Sequence, residues 1–145
     1  MINRVIVGVD FSEASRGALS QASAWARKLD KPLIAVHVLQ PPAPMLPEAQ
    51  IALPDPAWLQ AMEDHARDHL QQWAEAFPGT AVEVKWGSPA EELVAMADRE
   101  ALLVVAQVGH SGIERLLFGS TAARVVKHAP CDVLVVRGEK AARSK

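Results

Sequence analysis

The feature that most constrains this chain is a regular alternation of short strand-like runs and longer segments with helical periodicity. Five runs of four to six residues are rich in valine and other β-favouring residues. Short continuous apolar runs are typical of strands that are buried on both faces of a sheet. The third run alternates apolar with charged residues, which indicates a half-exposed strand. The predicted strands are Val5–Val9, Leu33–Val38, Val82–Trp86, Leu102–Ala106 and Val133–Val136.

Helices are predicted in the segments between these strands. Ser12 and Asp55 are typical N-cap residues, and Ser88-Pro89-Ala90-Glu91 has the pattern of a capping box with proline at the first helical position. Pro78-Gly79 is a stop signal for the second helix. The predicted helices run from Ser12 to about Leu29, from Asp55 to Phe77, from Ser88 to about Ala97 and from Gly119 to about His128.

This alternation predicts the topology of the sheet. Strands separated by helices run parallel, because a crossover of that length returns the chain to the same end of the sheet. We therefore predict the α/β class: an open, doubly wound sheet of five parallel strands in the order 3-2-1-4-5, with helices on both faces. We expect one domain over residues 1–145, with a flexible tail at 138–145.

One connection departs from the regular pattern. Six prolines fall between Pro41 and Pro56, in a stretch with neither helical nor strand period. The stretch is longer than most connections in a compact domain. We predict an irregular loop that is mobile without a ligand or partner.

Charge and cysteine content exclude several classes of function. The net charge is −2 and the pI about 6.2, whereas proteins that bind nucleic acid or anionic membranes present a basic face. No apolar run approaches the roughly 20 residues of a membrane-spanning helix, and the N-terminus lacks the apolar core of a signal peptide. Cys131 is the single cysteine, so no intrachain disulfide is expected. We expect a cytoplasmic protein that binds neither nucleic acid nor membrane.

Three segments are expected to meet at the carboxyl edge of the sheet, where open parallel sheets bind ligands. They are Asp10 after the first strand, Val38 after the second, and the glycine-containing segment Ala106–Thr121 after the fourth. Gly119 and Ser120 stand at a helix N-terminus, where N–H groups and the helix dipole attract phosphate. Spacing alone leaves two interpretations open: a phosphate-binding loop, and an ordinary strand-to-helix turn.

The same segment resembles the signature of the universal stress protein family: glycine, two residues, glycine, nine residues, glycine, then serine or threonine. Gly109 and Gly119-Ser120 match this spacing. Ala106 stands in place of the first glycine, and Val108 occupies a position that is often Arg or His. Further similar segments are Val7–Glu13, His37-Val38, Gly87–Glu92 and His128–Val136.

The resemblance spans nearly the whole chain, and the family fold is the five-stranded parallel sheet predicted above. In ATP-binding members, residues matching Asp10 and Val38 hold the adenosine, and the glycine loop with the Gly-Ser step holds the phosphates. The resemblance therefore implies an ATP site, with Mg²⁺ as an accompanying ion. The implied site residues are Asp10, Val38, Val105, Ala106, Gly109, His110, Gly119, Ser120 and Thr121.

The last strand predicts how the chain assembles. In the order 3-2-1-4-5, Val133–Val136 lies at an edge, and it contains neither proline nor lysine to discourage pairing. An open edge of this kind recruits another strand, and a two-fold axis closes the assembly at two chains. We predict a homodimer through this strand, and the resemblance implies the same arrangement.

Other chemistry has less support. His65 and His69 are spaced for a metal, but no third ligand follows at suitable spacing. Ser111 lacks the second glycine of a nucleophile elbow, because residue 113 is isoleucine. We expect no metal site and no catalysis. Two classes remain: a nucleotide-binding stress or regulatory module, and an interaction protein of the same fold with an unidentified protein partner. Ala106 and Val108 favour the second.

Overall fold

A parallel sheet of five strands forms the centre of the structure, with helices on both faces. The computed structural model describes residues 1–41, 55–108 and 118–138. In this part of the chain the strands lie in the order β3-β2-β1-β4-β5, and every neighbouring pair is parallel. The predicted fold class and strand order are therefore confirmed. The elements are β1 (Arg4–Gly8), α1 (Glu13–Leu29), β2 (Leu33–Leu39), α2 (Pro56–Ala74), β3 (Ala81–Trp86), α3 (Pro89–Met96), β4 (Ala101–Ala106), α4 (Ser120–His128) and β5 (Asp132–Val136).

The sheet separates two hydrophobic clusters, because successive side chains of a strand point to opposite faces. Val5 and Val7 of β1 pack with residues of α1 and α2, whereas Ile6 packs with residues of α3 and α4. All three side chains are fully buried. Burying a side chain of this size contributes about 1.5–3 kcal/mol. β1 is thus anchored from both sides, which fixes the position of the loop that follows it.

One predicted helix end is wrong. α2 ends at Ala74 and not at Phe77, because the chain leaves the helix in a tight turn. Phe77 N–H donates to the Ala74 carbonyl at 2.9 Å, and Thr80 Oγ1 donates to the Phe77 carbonyl at 2.6 Å. The Phe77 ring still packs against the core, but from the turn instead of the helix.

The predicted capping box at the start of α3 does not form. Ser88 is the N-cap residue, but its side chain makes no capping hydrogen bond. Glu91 pairs instead with Arg124 of α4, whose guanidinium lies 3.3 Å from the carboxylate. Glu91 thus takes part in a contact between α3 and α4, and the capping hydrogen bond expected from the Ser88 side chain is absent.

β3 and β5 are the edges of the described sheet. β3 is half-buried over most of its length, as predicted. Its last residue, Trp86, donates from Nε1 to the Glu63 carboxylate of α2 at 2.7 Å. Within the described residues β5 pairs with β4 alone, so the homodimer through this strand stays a prediction.

Two predictions fall largely outside the described residues. The loop Pro41–Pro56 contains positions 42–54, and the predicted tail contains positions 139–145, none of which the structure describes. Among the helices that it does describe, none combines the length and the apolar character needed to cross a membrane.

Candidate functional site

A cleft of about 480 Å³ opens at the carboxyl edge of the sheet, where β1, β2 and β4 end beside the first turn of α4. Gly109 and His110 lie outside the described residues. The topology brings the ends of β1, β2 and β4 together with the start of α4, as expected, and the roles of the predicted site residues in binding stay predictions. The remaining seven predicted site residues all line the cleft: Asp10, Val38, Val105, Ala106, Gly119, Ser120 and Thr121.

The floor of the cleft is apolar and closely packed. Val36, in the middle of β2, and Val105, near the end of β4, are almost completely buried. Leu93 of α3 reaches across to β1, so close that a Cβ atom on Gly8 would lie 2.8 Å from Leu93 Cδ1. A larger residue at position 8 would push Leu93 aside. The shape of the floor therefore depends on a glycine that the sequence analysis did not single out.

The first turn of α4 forms one wall of the cleft. Gly119 is the N-cap residue, with φ −68° and ψ 170°, and has no side chain to supply a cap. The first N–H groups of a helix have no acceptor within the helix, and Ser120, Thr121 and Ala122 all line the cleft. Together with the positive end of the helix dipole, these groups attract an anion.

Backbone hydrogen bonds fix the position of this wall. Gly119 N–H donates to the Gln107 carbonyl at 2.6 Å, and Gln107 N–H donates to the Val136 carbonyl at 2.8 Å. The start of α4 is thereby tied to the ends of β4 and β5. Gln107 also lines the cleft, although the sequence analysis did not name it.

Asp10 supplies the carboxylate of the cleft, and neighbouring residues orient it. Its Oδ1 accepts hydrogen bonds from the backbone N–H of Ser12, at 3.0 Å, and from the Ser12 hydroxyl. The Asp10 N–H donates to Ser15 Oγ at 3.3 Å. An ionised carboxylate only accepts hydrogen bonds, so Asp10 suits the hydroxyl groups of a sugar.

His37 is a lining residue that the sequence analysis noted only as part of a strand end. Its Nδ1 lies 2.7 Å from the Val9 carbonyl oxygen. A carbonyl oxygen can only accept, so Nδ1 carries the proton and donates. The ring therefore has a fixed orientation between β1 and β2. The strand position of His37 beside Val38 is the signal that could have identified it.

Phe11 joins the cleft to helix α2. It is one of two described non-glycine residues in the left-handed region, with φ 65°. Its ring is stacked on His69 of α2, with centroids 3.9 Å apart, and lies against His37 at 4.5 Å. No local sequence signal predicts this contact, because the rings come from separate elements.

The structure also bears on the alternative chemistry. Within the described residues, no three histidine, cysteine or acidic side chains are grouped so that they could hold a metal ion. Cys131 directly precedes β5 and is half-buried against the hydrophobic cluster that contains Ile6, and burial raises the pKa of its thiol. A thiol held in the protonated form is a poor nucleophile.

Comparison with known proteins assigns the chain with this fold to a family. The model of the Universal stress protein family matches residues 1–137. Universal stress protein MJ0531 of Methanocaldococcus jannaschii is 30% identical over 151 residues, covering 97% of this chain and 85% of that protein.

Solved structures agree with the sequence comparison. The universal stress protein UspA from Lactobacillus plantarum has a TM-score of 0.71 at 27% identity, covering 93% of this chain and 97% of that one. A universal stress protein solved in complex with cAMP has a TM-score of 0.58 at 28% identity, covering 92% and 96%. The match to the family over residues 1–137, with a relative 30% identical across nearly the whole length, shows that this chain belongs to the universal stress protein family.

Proposed function

We propose that this protein is a cytoplasmic nucleotide-binding module that binds ATP and does not catalyse a reaction. The observation that supports this most directly is the composition of the cleft. One wall is a helix N-terminus without a side-chain cap, another carries the Asp10 carboxylate, and the floor is apolar. These three features match a nucleotide: the helix N-terminus suits its phosphates, the carboxylate suits the ribose hydroxyls, and the apolar floor suits the base.

Each part of the nucleotide has a partner in this proposal. The N–H groups of the first turn of α4 and the hydroxyls of Ser120 and Thr121 bind phosphate oxygens. Asp10 accepts a hydrogen bond from a ribose hydroxyl, and the base lies against Val38 and Val105. The cleft volume of about 480 Å³ lies in the usual range of small-molecule pockets. Mg²⁺ would offset part of the triphosphate charge, and the two hydroxyls are oxygen ligands of the type that it prefers.

A relative supports the ligand class. The universal stress protein solved in complex with cAMP is 28% identical to this chain over 92% of its length. That ligand contains adenine, ribose and phosphate, so the proposal for this cleft extends the same chemistry to ATP.

The second candidate function is an interaction protein of the same fold, and the observation that favours it is the pair Ala106 and Val108. The structure weakens half of this argument. Ala106 lies in β4, paired with Val136, and is not among the described residues with positive φ. A methyl group is therefore compatible with the backbone at position 106, where glycine is not required.

Titration calorimetry tests the choice between these two functions. We expect ATP to release a measurable heat, and ADP and cAMP to show which phosphates contribute, each with and without magnesium. Phosphate release in the same samples should stay at the level of a protein-free control, since the proposal includes no catalysis. Silence at millimolar nucleotide would favour the interaction protein instead.

We also propose that two chains pair through β5 to form a homodimer. β5 is an edge of the described sheet, and Leu134 and its neighbours are only partly buried. Sedimentation equilibrium at micromolar protein should give a mass near twice 15.6 kDa. The Val136 carbonyl accepts from Gln107 N–H on the β4 side, so the N–H of the preceding residue, Val135, faces the open edge. Val135→Pro should therefore shift the mass toward one chain while circular dichroism shows it folded, because proline cannot donate to a strand ladder. A wild-type monomer throughout this concentration range would contradict the proposal.

A further inference from the structure

An aromatic cluster lies directly behind the cleft loop that contains Asp10. Phe11 is stacked on His69, with 3.9 Å between centroids and 6° between planes. The edge of Phe11 meets Trp73 at 5.3 Å and 83°, and the Arg16 guanidinium lies 4.0 Å from the Trp73 ring centre. The cluster therefore joins the β1–α1 loop to helix α2 through one central ring, that of Phe11.

The backbone of Phe11 is in a conformation that a bulky residue rarely adopts. Its φ of 65° is in the left-handed region, which is unfavourable for residues with a Cβ atom. Such residues persist only where the surrounding structure holds them. Stacked and edge-to-face aromatic contacts are favourable beyond their buried area, so the rings around Phe11 are the contacts that oppose the backbone preference.

The conformation of Phe11 determines where the Asp10 carboxylate points. Asp10 Oδ1 accepts from the N–H of Ser12 at 3.0 Å, which closes a turn with Phe11 at its centre. If Phe11 returned to a common backbone region, the N–H of Ser12 would turn away from Asp10. The carboxylate would then lose one of the hydrogen bonds that orient it into the cleft.

We propose that His69 is a positioning residue for the nucleotide site: its ring, stacked on Phe11, holds the loop in the conformation that presents Asp10. His69 touches no ligand and acts through Phe11 alone. Two experiments test this role. The first measures the loop in the ligand-free protein and requires no nucleotide, whereas the second measures ATP affinity and rests on the function proposed above.

The first experiment measures hydrogen exchange of the Ser12 amide in the ligand-free protein by NMR. His69→Leu keeps a side chain of similar size but loses the flat ring, and we expect exchange about fivefold faster, as for the loss of one aromatic pair. His69→Phe restores a flat ring and should exchange like the wild type. His65→Leu is the matched control, since His65 is exposed one turn away on the same helix. Its ring lies 6.3 Å from that of His69 but is not among the described ring partners of Phe11, so this variant should change nothing.

The second experiment measures ATP affinity of the same variants by calorimetry. His69→Leu should bind about fivefold more weakly, and His69→Phe and His65→Leu should bind like the wild type. If the wild type binds no ATP, the proposed nucleotide function fails, whereas the Ser12 exchange still decides whether His69 positions the loop.

A double-mutant cycle isolates the stack from other effects. Glycine adopts positive φ freely, so Phe11→Gly keeps the turn accessible without any ring to hold. In that background His69→Leu should have no further effect on Ser12 exchange. Equal acceleration at Ser12 and at the core amide of Leu103 in His69→Leu would mean a general loss of stability and would overturn the proposal. Failure of His69→Phe to restore slow exchange would overturn it as well.

Discussion

The helices α1 and α4 begin at the same edge of the sheet, but the N–H groups of their first turns are satisfied in different ways. The N-terminus of α1 is satisfied by its own residues: Ser12 Oγ accepts from the N–H of Ser15 at 3.1 Å, and Glu13 places a carboxylate in the first turn. The N-terminus of α4 begins at Gly119 and has no acidic residue in its first turn. Of the helices in the described part of the chain, α4 alone lacks both devices.

The two helix N-termini suit different purposes, one the stability of the fold and the other the binding of a ligand. A side-chain cap stabilises a helix by about 1 kcal/mol, and α1 gains that stabilisation within the folded chain. At α4 the same N–H groups face the cleft, where an anionic ligand can satisfy them. We infer that α1 serves the fold and α4 serves the ligand, although both follow strands that end side by side.

The largest expected effect comes from giving α4 an anion of its own. Ser120→Asp places a carboxylate beside the proposed phosphate position, where two like charges about 4 Å apart repel by about 4 kcal/mol at an effective dielectric constant of 20. We expect ATP affinity to fall by at least a hundredfold in calorimetry. The melting temperature should not fall, because an acidic residue in the first turn complements the helix dipole.

The control for that variant adds the same charge elsewhere on α4. Ala123→Asp lies beyond the first turn, at an exposed position outside the cleft lining. Its affinity for ATP should stay within about threefold of wild type, a change small beside the direct repulsion. Equal losses in the two variants would mean that α4 does not contact the phosphates.

The next effect is on folding and concerns α1. Ser12→Ala removes the cap and the hydroxyl that donates to Asp10, so the free energy of unfolding should fall by about 2 kcal/mol, the upper end for a lost N-cap. Urea unfolding measures this loss. An unchanged midpoint would show that α1 does not need its cap, and the contrast with α4 would disappear.

The smallest effect is expected at the corresponding serine of α4. Ser120→Ala should weaken ATP binding by about 1 kcal/mol, the typical value of one hydrogen bond, and leave the urea midpoint unchanged. If this variant is folded and binds ATP as tightly as the wild type, the hydroxyl of Ser120 has no role in binding.

The sheet was predictable because its signals are local. β1 and β4 were predicted to within one residue at each end, since an uninterrupted apolar run needs no partner to be recognised. The end of α2 was missed because the turn after Ala74 is held by Thr80, a contact that no stop signal encodes. The capping box predicted at Ser88 does not form, and Glu91 pairs with Arg124 of another helix, a contact that the local pattern does not encode.

The cleft was predictable in position but incomplete in composition. Asp10, Val38 and Ser120 follow or precede predicted elements, and the rule for parallel sheets places them at one edge. Phe11 escaped notice because its importance depends on the His69 ring of α2, which is far away in sequence, whereas His37 could have been identified from its strand position beside Val38. Tertiary contacts of this kind have no periodicity to detect.

The central position of β1 also sets the time at which the cleft is complete during synthesis. β1 pairs with β2 on one side and with β4 on the other, where Arg4 faces Ala101. Asp10 is therefore synthesised long before α4 leaves the ribosome, and pairing between segments so distant along the chain is slow. A growing chain that lacks Ser120 lacks the wall that we propose binds phosphate. A nucleotide bound as proposed would thus stabilise chains that already contain α4 and not shorter nascent ones, by an amount that depends on the nucleotide concentration relative to Kd.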